Sequence, residues 1–225
     1  MRKLDKTIQI SCDGGAATGK STGAKLISKK FRLNFLSSGL LYRYAGYLLL
    51  KNNPKSGTSF LRKKFQNLNY NKIKKINLHS PTISKFSAEI AKKSEIRKIL
   101  KKYQVNFAKK NKKCCIEGRD ISTKILPKSD VKFFFKCDLN IASLRRYKQL
   151  KKNDKKIKLY DVKKALRIRN LLDTQRKNSP LLKHRDSVEI DTGKLDKKAM
   201  IAKMSRYVEK VIKKKYGNRV RIKRV

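Results

Sequence analysis

One run of residues has chemistry that can be read from its spacing: Gly14-Gly15-Ala16-Ala17-Thr18-Gly19-Lys20-Ser21. It fits the pattern GxxxxGK[ST] at every fixed position. A loop of this kind needs glycine because its backbone wraps tightly and turns several N–H groups toward one point. Those groups, with the N-terminus of the helix that follows, stabilise negative charge. The run therefore reads as a cradle for the phosphates of a nucleoside triphosphate. Lys20 reaches the terminal phosphates, the Ser21 hydroxyl is placed to ligate Mg²⁺, and Thr22 is a further hydroxyl beside it.

Three other polar clusters stand apart from the solvated background. Arg169, Asp173 and Arg176 are spaced i, i+4, i+7 and share one helix face. Such charges usually mark a solvated face, but two arginines around one carboxylate suit a bidentate grip on an anion. Glu117-Gly118-Arg119-Asp120 follows an apolar segment directly. In a parallel sheet ligands sit beyond the carboxyl ends of the strands, so this turn should face the phosphate loop. Ser38-Gly39-Leu40-Leu41-Tyr42-Arg43 takes the equivalent place after a second apolar segment. There Ser38 reads as a helix cap, or, with Arg43, as part of a site for an acceptor phosphate.

The elements that must position these residues alternate between strand and helix. Thr7 to Asp13 reads as a first strand, with Ile8, Ile10 and Cys12 at alternate positions. Ala24, Ile27 and Phe31 recur at helical spacing after the loop. Leu33 to Leu36, Cys114 to Glu117, Val131 to Cys137 and Val188 to Asp191 read as further strands. Helices are expected from Ser38 to Leu50, Ser84 to Lys110, Ile141 to Lys151, Tyr160 to Asn178 and Leu195 to Lys215. This alternation argues for an α/β fold, a parallel sheet flanked by helices in three layers. Residues 51–85, rich in Asn, Lys and Ser, read as a small insert packed against the core without being part of it. The run 151–156 reads as a flexible break, and Gly217 to Val225 as a loose basic tail.

At 225 residues the chain can bury one sizeable core. No apolar run reaches transmembrane length, and Met1 to Lys6 leads straight into the first strand with no room for a signal peptide. A cytoplasmic protein is expected. The four cysteines form no CxxC pair and only His79 and His184 are present, so reduced buried thiols are expected rather than a zinc site. The 62 Lys and Arg against 16 Asp and Glu give a net charge of +46. The lysines are spread from end to end in no single block and with few aromatics between them. That distribution favours diffuse lysine enrichment over a specific nucleic-acid surface, with only weak, salt-sensitive adhesion expected.

In order along the chain, Asp13 to Thr22, Ser38 to Arg43, Ser94 to Arg97, Glu117 to Thr123 and Arg169 to Leu181 follow a known series. It runs DGPxxxGKxT, [ST]GxxYR, ASxVSxxPxVR, [DE]GRDxGT and RDxxDxxRxxxPL, and it resembles the bacterial cytidylate kinases, a family of nucleoside monophosphate kinases. The resemblance covers residues 7 to 212. It implies a P-loop NTPase fold in a single domain over 1–225. Its core would span about 7–50, 86–150 and 159–215, with a monophosphate-binding insert at about 51–85, a lid at about 150–158 and the tail at 216–225. It implies transfer of the ATP γ-phosphoryl group to CMP or dCMP with Mg²⁺, by a monomer that binds neither a membrane nor a specific nucleic acid. Gly14, Gly15, Ala16, Ala17, Thr18, Gly19, Lys20, Ser21 and Thr22 would hold the ATP phosphates, with Arg145 and Arg146 on the lid side. Arg43, Arg119 and Arg176 would clamp the acceptor phosphate, and Lys20, Arg119 and Arg176 would act in the transfer. Arg97 and Asp120 would read the cytosine edge, and Ser38, Arg169 and Asp173 would contact the ribose. The remaining readings are a kinase for another monophosphate or small metabolite, or a basic nucleic-acid-binding protein.

The chain departs from the pattern at several positions. Gly15 stands in place of proline, Ser122 in place of glycine and Asn170 in place of aspartate. Ala142 stands where an arginine is usual in the lid helix. Ala88 takes the place of a serine that helps read cytosine, with Ser87 one residue earlier.

Overall fold

The computed structural model describes residues 7–152 and 154–217; most of the expected basic tail and residue 153 of the expected lid lie outside the described residues. Strands β1 (Ile8–Gly14), β2 (Asn34–Ser37), β3 (Lys113–Gly118), β4 (Val131–Lys136) and β5 (Val188–Asp191) form one sheet. Its order is β2-β3-β1-β4-β5 and every pairing is parallel. The strands after β1 lie on both sides of it, so the chain reverses its winding direction there. That reversal opens a crevice at the carboxyl ends of β1 and β3, where the phosphate loop and the Glu117 turn emerge.

Helices α1 (Lys20–Lys30) and α9 (Lys197–Tyr216) cover one face of the sheet. Their Ile27, Met204 and Val208 pack with Ile10, Phe133 and Phe135. The other face is covered by α2 (Ser38–Asn52), α3 (Gly57–Gln66), α4 (Tyr70–Ile73), α5 (Pro81–Ile90) and α6 (Ser94–Lys110). Cys114 and Ile116 of β3 enter that layer while Cys115 enters the opposite one, as strand alternation requires. The cysteines are free thiols, three of them buried, and burial pushes the Cys114 thiol up to about 12. Helices α7 (Leu139–Lys151) and α8 (Leu159–Gln175) pack on each other through Ala142, Val162 and Leu166.

Three expectations need correction. Residues 51–85 do not pack outside the core: Leu61, Phe65, Tyr70, Ile73 and Leu78 are buried in the same cluster as Leu41, Leu100 and Ile116. Their apolar side chains are separated by polar residues at loop-like spacing, which hid the common face. The Tyr70 hydroxyl even accepts the Ser37 N–H at 2.7 Å, tying α4 to the end of β2.

The single helix expected from Ser84 to Lys110 is two, α5 and α6, broken at 91–93. No Pro or Gly marks the break in this chain. The signal was in the family pattern, whose proline falls at Ser94, the first residue of α6. The break leaves the Ala91 carbonyl outside the helical ladder, and Arg97 Nη1 donates to it at 3.2 Å. Finally, the helix expected to run to Asn178 stops at Gln175, where Arg176 turns to extended backbone.

Candidate active site

The phosphate loop is built by two glycines and a set of short internal bonds. A Cβ on Gly14 would stand 2.4 Å from the Phe135 carbonyl oxygen, so only glycine lets β1 pass β4 there. Gly19 caps α1 at φ 78°, in the left-handed region that favours glycine. Ala17 also has positive φ, at 58°. The Thr18 hydroxyl and Lys20 Nζ both donate to the Gly15 carbonyl, at 3.1 and 3.2 Å. Lys20 lies 3.8 Å from Glu117 Oε2. Burial, and next the charge of Arg119, lower its pKa to about 7. Ser21 is half-buried and Thr22 exposed in the first turn of α1.

Across the crevice the other predicted residues converge. Arg97 is bonded to Asp120, and its guanidinium lies 5.7 Å from the Tyr42 ring centroid. Arg119 Nε donates to Asp173 Oδ2 at 2.7 Å, Arg169 Nε to the same oxygen at 3.4 Å, and Arg176 Nη1 to Asp173 Oδ1 at 3.4 Å. Burial alone would raise the Asp173 pKa, but Arg119, then Arg169 and Arg176, hold it below the usual carboxylate range. Arg43 is pushed down to about 10 by burial first and by Arg169 second. Its Nε and Arg176 Nη2 are buried with no hydrogen-bond partner among the described residues. Ser38 is buried at the first turn of α2. The helix cap is Ser37 and not Ser38: the Ser37 hydroxyl accepts the Leu40 N–H at 3.2 Å and donates to Glu117.

Six basic groups thus meet three carboxylates in one buried region. Lys20, Arg43, Arg97, Arg119, Arg169 and Arg176 face Glu117, Asp120 and Asp173. Among these nine groups the formal excess is three positive charges, which the buried Asp13 carboxylate beside Asp120 and the lowered pKa of Lys20 reduce. Burying uncompensated charge is costly, so such a centre is completed by an anion.

The lid-side residues divide. Arg145 donates to the Thr192 hydroxyl at 3.0 Å and to its carbonyl at 2.7 Å, and the Thr192 hydroxyl donates to the Thr18 carbonyl at 3.0 Å. Arg145 therefore braces the loop from behind. Arg146 lies near enough to Arg43 to lower its pKa. Ala142 is buried between α7 and α8 beside Ala16 and Ala17, a packing position. On α5, Ala88 is half-buried, and the Ser87 hydroxyl donates to the Ser84 carbonyl at 2.8 Å.

Sequence reasoning missed several residues that hold this arrangement. Asp13 accepts the N–H of Ile121 at 2.8 Å and both the N–H and the hydroxyl of Ser122, at 2.7 and 2.6 Å. Ser37 and Thr192 are likewise bracing groups, as are Glu117 and Asn170, which the sequence singled out without this role. A π-helical turn, Ile121–Ile125, follows Asp120 directly and was not anticipated. Only the Ser122 and Asn170 departures signalled any of this, since each puts a polar group where the family pattern has another residue.

Taken together, a phosphate loop on a parallel sheet facing a buried arginine cluster defines a P-loop NTPase fold of the kinase type. Solved structures support the fold: an uncharacterised protein from Eubacterium ventriosum matches with a TM-score of 0.53 over 90% of this chain and 98% of its own, at 14% identity. The model of the cytidylate kinase family matches residues 10–210. A cytidylate kinase from Rickettsia akari is 31% identical over 208 residues, 92% of this chain and 94% of its own. One from Clostridium tetani is 33% identical over 221 residues, 93% of this chain and 97% of its own. The chain belongs to the cytidylate kinase family.

Proposed function

We propose that the protein transfers the γ-phosphoryl group of ATP to CMP, with dCMP as a second acceptor, giving ADP and CDP or dCDP. The observation that carries this reading is the buried excess of positive charge beside an intact phosphate loop. A monophosphate dianion neutralises most of that excess, and Arg43 Nε and Arg176 Nη2 are donors in want of an acceptor.

Phosphoryl transfer needs positioning and charge neutralisation more than covalent work by the protein. Residues Gly14 to Thr22 hold the donor phosphates, and Lys20 follows the group in transit. The Arg119 charge is near enough to lower the Lys20 pKa, and on this reading the transferred group passes between the two. Arg43, Arg119 and Arg176 hold the acceptor phosphate, Arg97 and Asp120 the base edge, and Ser38, Arg169 and Asp173 the ribose. The acceptor is already an anion, so no strong general base is required.

Among the described residues no cluster of three or more His, Cys, Asp or Glu could hold a metal by itself. That fits Mg²⁺, which is commonly held by one or two protein oxygens plus substrate phosphates; Ser21 would supply the hydroxyl. When bound it neutralises charge on the phosphate oxygens. We also propose that it acts as a monomer, and among the described residues no helix is long and apolar enough to cross a membrane. We place it in the cytoplasm. The lid at about 150–158 would close over the nucleotides and exclude water.

Coupled measurement of ADP release with CMP, dCMP, UMP, AMP and dTMP side by side tests the reading. The highest kcat/KM is expected with CMP. ADP release that does not depend on any monophosphate would overturn it.

A further inference from the structure

Two of the departures from the family pattern, Gly15 and Asn170, touch each other. Asn170 Oδ1 accepts the Ala16 N–H of the phosphate loop at 3.0 Å. A Cβ built on Gly15 would lie 3.1 Å from that same oxygen, closer than a comfortable contact. The missing side chain at Gly15 therefore leaves the amide its place against the loop, where a Cβ would press it back. Asn170 brings an accepting oxygen without a formal negative charge, which suits a position beside a polyphosphate.

Asn170 stands on α8 next to Arg169, and that helix is the one that carries the acceptor cluster. Arg169 Nη1 donates to the Ser84 carbonyl of α5 at 3.2 Å, and Arg169 and Arg119 share Asp173 Oδ2. Arg176 at the end of the helix grips Asp173 Oδ1 and the Ser179 carbonyl. Any anion that settles among these arginines fixes α8. A helix moves as a rigid unit, and a hydrogen bond weakens steeply with distance and angle.

Resting on the CMP-kinase reading, we infer that Asn170 is a positioning residue that couples the two nucleotide sites. An acceptor anion sets α8, α8 sets the Asn170–Ala16 bond, and that bond holds the phosphate loop in the shape that receives the donor. Coupling of this kind is reciprocal: the donor tightens the acceptor by the same factor.

Calorimetric titration tests this. The affinity for β,γ-imido-ATP with Mg²⁺ is measured with and without saturating CMP. In the natural chain CMP is expected to tighten the analogue by about two- to tenfold, the size of one hydrogen bond. Asn170→Ala should bring that ratio to about one, while Asn170→Asp, which keeps an accepting oxygen, should retain it. Gly15→Ala, which pushes a Cβ against the amide, should lose the coupling from the other side and serves if Asn170→Ala does not fold. A purely structural role would weaken both ligands and leave the ratio unchanged, which overturns the inference. So does a ratio near one in the natural chain. Absence of any CMP binding in the titration without the analogue marks a different failure, that of the acceptor-site reading itself.

Discussion

Ser122 donates both its backbone N–H and its hydroxyl to one carboxylate oxygen of Asp13, at 2.7 and 2.6 Å. Asp13 ends the strand that opens the phosphate loop, and Ser122 follows the turn that carries Arg119 and Asp120. One buried carboxylate thus fixes the spacing of donor and acceptor halves. Burial raises the Asp13 pKa to about 6, and the Ser122 hydroxyl is the largest influence opposing that rise.

A pH dependence follows, with its sign. The Asp13 pKa is about 6 in the folded chain against 3.8 for the ordinary value. The folded state therefore binds the extra proton, so the Asp13 contribution to stability falls as pH rises from about 4 through about 6. Activity moves the other way, because a protonated Asp13 loses its charge-assisted bonds to the turn. A pH–rate profile should show an acid limb near 6. In Ser122→Gly the limb should move to higher pH. An unmoved limb would show that Asp13 does not govern it.

Lys20 is buried with a pKa lowered to about 7 in the absence of nucleotide, by burial first and Arg119 second. The added negative charge of a triphosphate raises that pKa again. ATP binding at pH 8 should therefore be accompanied by proton uptake, read as a dependence of binding heat on the ionisation enthalpy of the buffer. Lys20→Ala should abolish the uptake. It should also lower kcat by about a hundredfold or more, the scale of losing one preorganised contact to developing charge.

Asp173 is the shared partner of Arg119, Arg169 and Arg176. Asp173→Ala leaves those guanidiniums without it in a buried setting. The variant should lose about 3 kcal/mol or more of stability in chemical denaturation. Its CMP affinity should fall much more than its ATP affinity. A loss confined to ATP would place the acceptor site elsewhere.

The loop was legible because its chemistry is local: fixed glycines, Lys20 and Ser21 lie within one turn of chain. The sheet was legible as parallel because strands and helices alternate. Arg119, Asp120, Arg169 and Asp173 could be named from spacing and resemblance, yet the bond that joins the turn to the helix, from Arg119 to Asp173, links residues more than fifty positions apart. No local pattern encodes that. The same holds for Asn170 and Ala16, and for Ser122 and Asp13. The break at 91–93 was hidden because Ala91, Lys92 and Lys93 are all acceptable helix residues. The embedding of 51–85 was hidden because Leu61, Phe65, Tyr70, Ile73 and Leu78 share a face only after two short helices and the loop beyond them have folded.

Base choice turns on α5. Ser87 is the obvious substitute for the hydroxyl missing at Ala88, but its own hydroxyl already donates to the Ser84 carbonyl. Its backbone also packs against α2, where a Cβ on Gly46 would lie 3.6 Å from the Ser87 nitrogen. Ser87 is therefore held toward the helix interface, while Ala88 is half-buried and one position round the helix. On the proposed reading Arg97 and Asp120, bonded to each other, would supply the donor and acceptor that remain for a cytosine edge. CMP should stay the best acceptor, with UMP a closer second than the full set of bonds would allow. Ala88→Ser should raise the CMP:UMP ratio of kcat/KM by about two- to tenfold, the value of one hydrogen bond. Ser87→Ala should leave that ratio unchanged. If instead Ser87→Ala lowers the ratio and Ala88→Ser does not raise it, the base lies against residue 87, and α5 is turned relative to the bound nucleotide.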